Sequence, residues 1–219
     1  MDPRTRPALI DVAARLLAQE GPQSLSTRRI ATETGSSTMA VYTHFGSMSE
    51  LVREIVHEGF SRLERYLTSV EPTDDPVADM ALLGRGYRGN ALANPHLFMV
   101  MFGGASLAGF SLAEEDRQYG RYTLANVIAC AQRCIAARRF RPADAELVAH
   151  QMWTAVHGIV TLELGDYLIP PWDARRCIEA QLVGLMVGAG DTMDAATASV
   201  AMSGDRFAGM PKPGGRPEA

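Results

Sequence analysis

Lysine is almost missing from this 219-residue sequence: Lys212 stands alone, and every other basic residue is arginine. That bias points to a genome rich in G and C. Cysteine is scarce too. Cys130, Cys134 and Cys177 are an odd number, which argues against a disulfide framework and for a reducing compartment. Long apolar runs are absent. The stretch 182–190 is the best candidate, and it is too short to span a bilayer. No secretory leader pattern opens the chain, so the expected location is cytoplasmic, with no membrane partner. No nucleophile motif, glycine-rich phosphate loop or metal-ligand spacing occurs, so neither catalysis, a metal nor a cofactor is expected. The net charge of −4 excludes a basic nucleic-acid coat.

What the chain does have is length for one or two domains, and ordinary apolar content at 47%. Its most patterned stretch is SLSTRRIATETGSSTMAVYTHFGSMSEL, residues 24–51. Ser26 can cap a helix in which Ile30 and Ala31 face inward. Gly35 can take the left-handed conformation that ends it. Ser36 or Ser37 can cap a second helix, running to about Phe45, with Val41 and Phe45 four apart on its inner face. Thr38, Met39, Tyr42 and Thr43 then lie on the other face, where little needs burial. An earlier helix, about residues 7–19, places Ile10, Ala13, Ala14 and Leu17 in one stripe before Gly21-Pro22. Ser47 or Ser49 opens a longer one, carrying Leu51 to Val70. Two short helices about a Gly-Ser turn, braced in this way, are the layout of a helix-turn-helix that sets its second helix in the major groove of DNA. There Met39 can meet a thymine methyl, and Thr38 and Tyr42 can donate hydrogen bonds.

These residues, from Ile10–Leu17 through Gly21, Ser24, Ile30, Ala31, Gly35, Val41-Tyr42-X-His44-Phe45 and Leu51, resemble the DNA-binding domain of TetR-type repressors. The resemblance implies that Thr27 and Arg28 meet backbone phosphates. It implies that Ser37, Thr38, Met39, Tyr42 and Thr43 face the groove, with Tyr42 and His44 partly on phosphate oxygens. The operator would be a palindromic double-stranded DNA. One position departs. Met48 stands where members often carry a phosphate-touching lysine, which predicts a flatter salt dependence. The head itself is near neutral, with Arg4, Arg6, Arg15, Arg28 and Arg29 against Asp2, Asp11, Glu20 and Glu33.

The remainder reads as helical and apolar, so the fold class is all-α. Domains are expected at residues 1–47 (helix-turn-helix) and 48–190 (effector binding and dimerisation). Helices are expected at about 77–92, from Asn94-Pro95 through 96–103, 112–139, from Pro142 to about 164, and 173–188. From Gly190 onward the chain is small, polar and Gly- and Pro-rich, and residues 191–219 are expected to be a disordered tail. The last two helices carry broad stripes: Val148, Met152, Val156 and Ile159 on one, Ile178, Leu182 and Leu185 on the other. Such stripes fit either deep core helices or a two-fold four-helix interface between subunits. The homodimer is the preferred reading, and the family resemblance also implies it.

Trp153-Thr154-Ala155-Val156-His157-Gly158 resembles the Trp…His-Gly signature of one TetR subgroup's C-terminal domain. Trp153 and His157 share a helix face and can wall and anchor a small-molecule effector; the alternative is a buried histidine bonded to a backbone carbonyl. Phe98, Met99, Phe102 and Phe110 flank a Gly-rich loop, and Tyr87 and Tyr122 add polar tips to a mainly apolar pocket, which the resemblance also implies. Cys130 and Cys134 read as small buried thiols. A rival reading is an all-helical enzyme or carrier, in which Glu163 and Asp166 stand near His157 as a loose carboxylate–imidazole set. The preferred function is a ligand-responsive, homodimeric DNA-binding repressor.

Overall fold

The computed structural model describes residues 5–102, 109–110 and 112–210. The described residues are helical without strands, as expected, and they form two compact units. One comprises residues up to Ser61 together with Asn94–Arg121; the other comprises Arg62–Ala93 and the chain from Tyr122 onward.

In the first unit, α1 (Thr5–Glu20) buries Leu9, Ile10, Ala13, Ala14, Leu16 and Leu17. A short 3-10 turn (Pro22–Ser24) follows, in which the Ser24 hydroxyl donates to the carbonyls of Leu16 and Gly21. Next come α2 (Thr27–Thr34), α3 (Thr38–Phe45) and the long α4 (Met48–Thr68), the last of which contributes Leu51, Val52, Ile55 and Val56 to the core. The unit does not end near residue 47. Helix α6 (Pro95–Phe102) packs on α1, where Gln19 meets His96 at 3.2 Å. Helix α7 (Glu114–Tyr122) is tied to α4 through Asp116.

The second unit is built around α5 (Pro76–Ala93), which is buried over most of its circumference. It is enclosed by α8 (Ala125–Ala136), α9 (Ala145–Leu164), α10 (Ala174–Ala189) and α11 (Met193–Gly209). A helix apolar on several sides needs several neighbours, and α5 has them. Its Gly84 allows close approach: a Cβ there would sit 3.3–3.4 Å from Leu182 and Val156. Cys130 and Cys134 are buried free thiols, as expected. The Cys130 sulfur donates to the carbonyl of Pro76 at 3.3 Å.

Three expectations are corrected. The helix read over 112–139 is two, α7 and α8, turning at Thr123-Leu124. Their ends have different partners, since α7 is held by Arg53 and His57 while α8 packs on α5. Residues 191–219 are not a disordered tail as far as they are described. Thr192 caps α11 by accepting from the Ala195 N–H, and Ala196, Ser199, Val200 and Ser203 are buried. That face is made of small side chains, which carry little hydrophobic signal and become core only because α5 lies directly against them. Finally, Pro142 does not open α9; Asp144 caps it by accepting from the Glu146 N–H.

Candidate functional site

The head is organised by its caps. Ser26, in extended backbone, accepts from the Arg29 N–H at 3.3 Å and starts α2. Gly35 closes it in the left-handed conformation (φ 66°), and the Ser36 N–H returns to the Ala31 carbonyl at 2.9 Å. Ser37 then accepts from the Ala40 N–H at 3.1 Å and starts α3. Val41 and Phe45 are buried beneath that helix. Its outer face is open: Met39 is 70% exposed, Tyr42 54% exposed, and Ser37, Thr38 and Thr43 are also exposed. On α2, Arg28 is exposed and Thr27 half-buried. His44 is half-buried, and its Nε2 is enclosed with no hydrogen-bond partner among the described residues.

The other arginines of the described head are engaged. Arg29 forks onto Glu20 at 2.8 and 2.6 Å and also reaches Glu33 at 3.1 Å. Arg15 pairs with Glu33, and Arg6 with Glu54. Arg28 has no ion pair among the described residues. A cluster with no signature in the sequence lies farther along α4. The buried Asp116 accepts from Arg53 at 3.1–3.2 Å, from His57 at 2.8 Å and from the Ala113 N–H at 2.9 Å. His57 stacks on Tyr119 at 5.1 Å, and the Tyr119 hydroxyl meets Ser61 at 3.0 Å. Pairing across some sixty residues left nothing local to read.

The effector residues expected from sequence divide between the two units. In the second, Tyr87 and His157 are brought together: the Tyr87 hydroxyl lies 2.8 Å from His157 Nδ1. Trp153 stands 5.9 Å from the imidazole, ring to ring. Burial pushes the Tyr87 phenol up, against a hydrogen bond from Trp153. Burial lowers His157 below the ordinary histidine value, so the ring is neutral at pH 7. Indole N–H can only donate. The Tyr87 oxygen therefore accepts from Trp153 and also meets His157 Nδ1. The Tyr87 phenol is thus a hydrogen-bond partner of His157.

In the first unit Phe98 is buried against a half-buried Phe102, ring centroids 5.1 Å apart, and Phe110 is half-buried. Met99, and Tyr122 at the start of the second unit, are exposed among the described residues. Residues 103–108 and 111 of the Gly-rich loop lie outside the described residues. The loose carboxylate–imidazole set is also corrected. Glu163 is engaged by Arg88 at 2.5 and 2.7 Å rather than by His157.

Val148, Met152, Val156, Ile178 and Leu182 are buried within their own chain, and Ile159 and Leu185 are half-buried. The apolar stripes of α9 and α10 are consumed by packing on α5 and on each other. Their opposite sides are open: Leu147, Gln151, Thr154, Gly158 and Leu162 on α9, and Ala180, Gln181, Gly184 and Gly188 on α10.

Residues 9–55 match the family of bacterial regulatory proteins called the tetR family, and residues 80–185 match the tetracyclin repressor-like C-terminal domain. The two matches follow each other in the order of that architecture. The chain belongs to the TetR family. The second description does not single out the Trp…His-Gly subgroup. HTH-type transcriptional regulators of Mycobacterium tuberculosis and Mycobacterium bovis are 30% identical over 117 residues, covering 51% of this chain. The chain spans about half the length of these curated relatives, 48%. A solved structure of a protein of unknown function from Rhodococcus sp. RHA1 superposes with TM-score 0.70 at 26% identity, covering 87% of this chain and 100% of that one. A TetR-family transcriptional regulator from Thermus thermophilus does so with TM-score 0.66 at 20% identity (86% and 97% covered). AibR in complex with isovaleryl coenzyme A and operator DNA has TM-score 0.64 at 17% identity (83% and 98% covered). The last two likenesses concern the fold alone. The curated relatives and the Thermus thermophilus protein named here are transcriptional regulators. Among its described residues, no helix is long and apolar enough to cross a membrane.

Proposed function

We propose that this TetR-family regulator is a cytoplasmic homodimeric repressor, released from a palindromic operator by a small, mainly apolar effector. One observation carries the reading: α3 presents Thr38, Met39, Tyr42 and Thr43 to solvent while Val41 and Phe45 hold it from below. A helix with exposed Met39 and Tyr42 on its open side gains nothing from folding by leaving them there. Base edges supply the missing contact. Arg28 and Thr27 touch phosphate from α2, joined by the Ser37 hydroxyl and by Tyr42 at the edge of α3; the enclosed Nε2 of His44 is not among these donors. Two such heads, about 34–36 Å apart, meet successive major grooves.

The homodimer is supported by the open faces of α9 and α10. A Cβ added at Gly158, Gly184 or Gly188 meets nothing within 4 Å in the chain itself, so no internal packing asks for glycine there. A second copy approaching backbone to backbone does, with Leu147 and Leu162 closing the flanks. The effector is read by Tyr87, Trp153 and His157. A neutral imidazole beside a phenol and an indole supplies polar atoms in an otherwise apolar setting. Structures of this fold hold resorcinol in RolR and the larger, charged isovaleryl coenzyme A in AibR. Effector and DNA then favour different separations of the heads and weaken each other's binding.

A gel shift of the full chain on its own upstream region tests the proposal, with Tyr42→Ala as control. Wild type is expected to retain one sequence and the variant to lose at least tenfold. Equal, sequence-insensitive retention of both overturns it.

A further inference from the structure

The usual polar chemistry of base recognition is missing from α3. Its eight residues, TMAVYTHF, include no Arg, Lys, Asn, Gln, Asp or Glu. Bidentate reading of guanine needs Arg or Lys, and that of adenine needs Asn or Gln. Several remaining polar groups are already engaged or enclosed. The Thr43 hydroxyl donates to the Met39 carbonyl at 2.8 Å, and the Ser37 hydroxyl accepts from the Ala40 N–H. His44 Nε2 is buried. The hydroxyls of Ser37, Thr38 and Tyr42 can still donate and that of Thr43 can still accept, but a lone hydroxyl both donates and accepts and so separates the four base pairs poorly. What the helix holds out most prominently is apolar: the thioether of Met39, the ring of Tyr42 and the methyl groups of two threonines. One base-edge feature of the major groove complements such a surface, the C5-methyl of thymine.

We propose that sequence readout by this regulator is carried by thymine methyl groups, with Met39 as the principal specificity-determining residue. The inference rests on the DNA-binding reading above and adds which bases it selects. Each half-site holds thymines beneath α3 and no obligatory G·C pair there. Met39 suits the task because its unbranched, polarizable chain adapts to the groove floor. Removing one methyl from such a contact costs about fourfold in affinity. Specificity is then built from several modest contacts, doubled by two-fold symmetry, and the operator tolerates single changes.

The test uses the full-length protein. An operator is selected from a randomised duplex library, and each thymine in it is replaced singly by deoxyuridine, which removes the C5-methyl alone. At a few positions per half-site, affinity is expected to fall about fourfold. At one of them the fall disappears in Met39→Ala, since the reader is gone. Placing 5-methylcytosine·G there binds better than cytosine·G, because the methyl is restored. Met39 lies outside the core, and a thermal melt matching wild type certifies the variant. Indifference to uracil at every position overturns the inference while leaving DNA binding intact. So does an equal uracil loss in Met39→Ala, or a selected half-site with an invariant G·C pair beneath α3. A selection that enriches no sequence overturns the DNA-binding reading and this inference with it.

Discussion

A carboxylate taken out of water keeps its charge only where donors outweigh the cost of burial, and Asp79 and Asp116 are two such groups. Burial alone pushes the Asp79 carboxyl up. The Thr73 N–H, Arg206, the Thr73 hydroxyl and Arg133 together hold it below the ordinary aspartate value. Burial likewise works against Arg53, the Ala113 N–H and His57 at Asp116, which is also held low. Both folded-state values lie below the unfolded ones. Their stabilisation is therefore complete above an unfolded pKa of about 4 and is lost as pH falls through the depressed values. Asp116→Asn is expected to cost about 1–2 kcal/mol at pH 7, a difference that closes in acid; urea melts from pH 7 to pH 2 check it. His157 behaves differently. Its folded value is lowered by burial, so the unfolded chain binds its proton first, and stability drops as pH falls from about 6.5 toward the depressed value. In His157→Gln that step is expected to vanish, leaving the slope between pH 7 and 5 flatter.

At the scale of elements, glycines decide how closely helices approach. A Cβ at Gly120 would lie 2.5 Å from the Phe60 ring, which already meets Phe102 edge-on. One at Gly89 would lie 2.8 Å from the Phe207 ring, on α11. Aromatic rings wedged between helices cannot retreat as a flexible tip would. Gly120→Ala and Gly89→Ala are each expected to destabilise by about 1–3 kcal/mol, read as shifts in denaturant midpoint. Gly184→Leu makes the contrast. The chain has open space there, so the helical circular dichroism spectrum is expected to survive while sedimentation shows the dimer dissociating. A dimer unchanged by Gly184→Leu would remove the proposed α9/α10 interface.

For the molecule as a whole, charge placement and the last helix matter most. With Arg15 and Arg29 paired to acids and Met48 opening α4, the proposed binding mode leaves Arg28 as the main phosphate contact among each head's described residues. A dimer neutralising roughly 2–4 phosphates gives a slope of about −2 to −4 in log affinity against log salt. Fluorescence anisotropy between 50 and 200 mM salt measures it, and a slope near −10 would mean that many more cations engage. Deleting residues 192–219 is expected to unfold the second unit rather than trim a tail. The deletion uncovers α5 and removes Ser203 from Arg85 and Arg206 from Asp79. Loss of cooperative melting in the truncated chain checks this.

The amino-acid sequence by itself determined the head. Ser26, Gly35 and Ser37 act through backbone groups one turn away, and the four-residue spacing of Val41 and Phe45 chooses the inward face of α3, so the turn and its outward residues are written locally. It also placed Trp153 and His157 on one helix face. Only tertiary structure decided the rest. Whether the stripe of Val156 and Leu182 meets its own chain or another depends on α5 lying between, seventy and more residues earlier. That Ala196, Ser199, Val200 and Ser203 form a buried face depends on α5 as well. Asp116 finds Arg53 and His57 from some sixty residues away. Caps and periodicity act within a turn or two of helix, whereas burial and ion pairing depend on which distant surfaces the folded chain brings together.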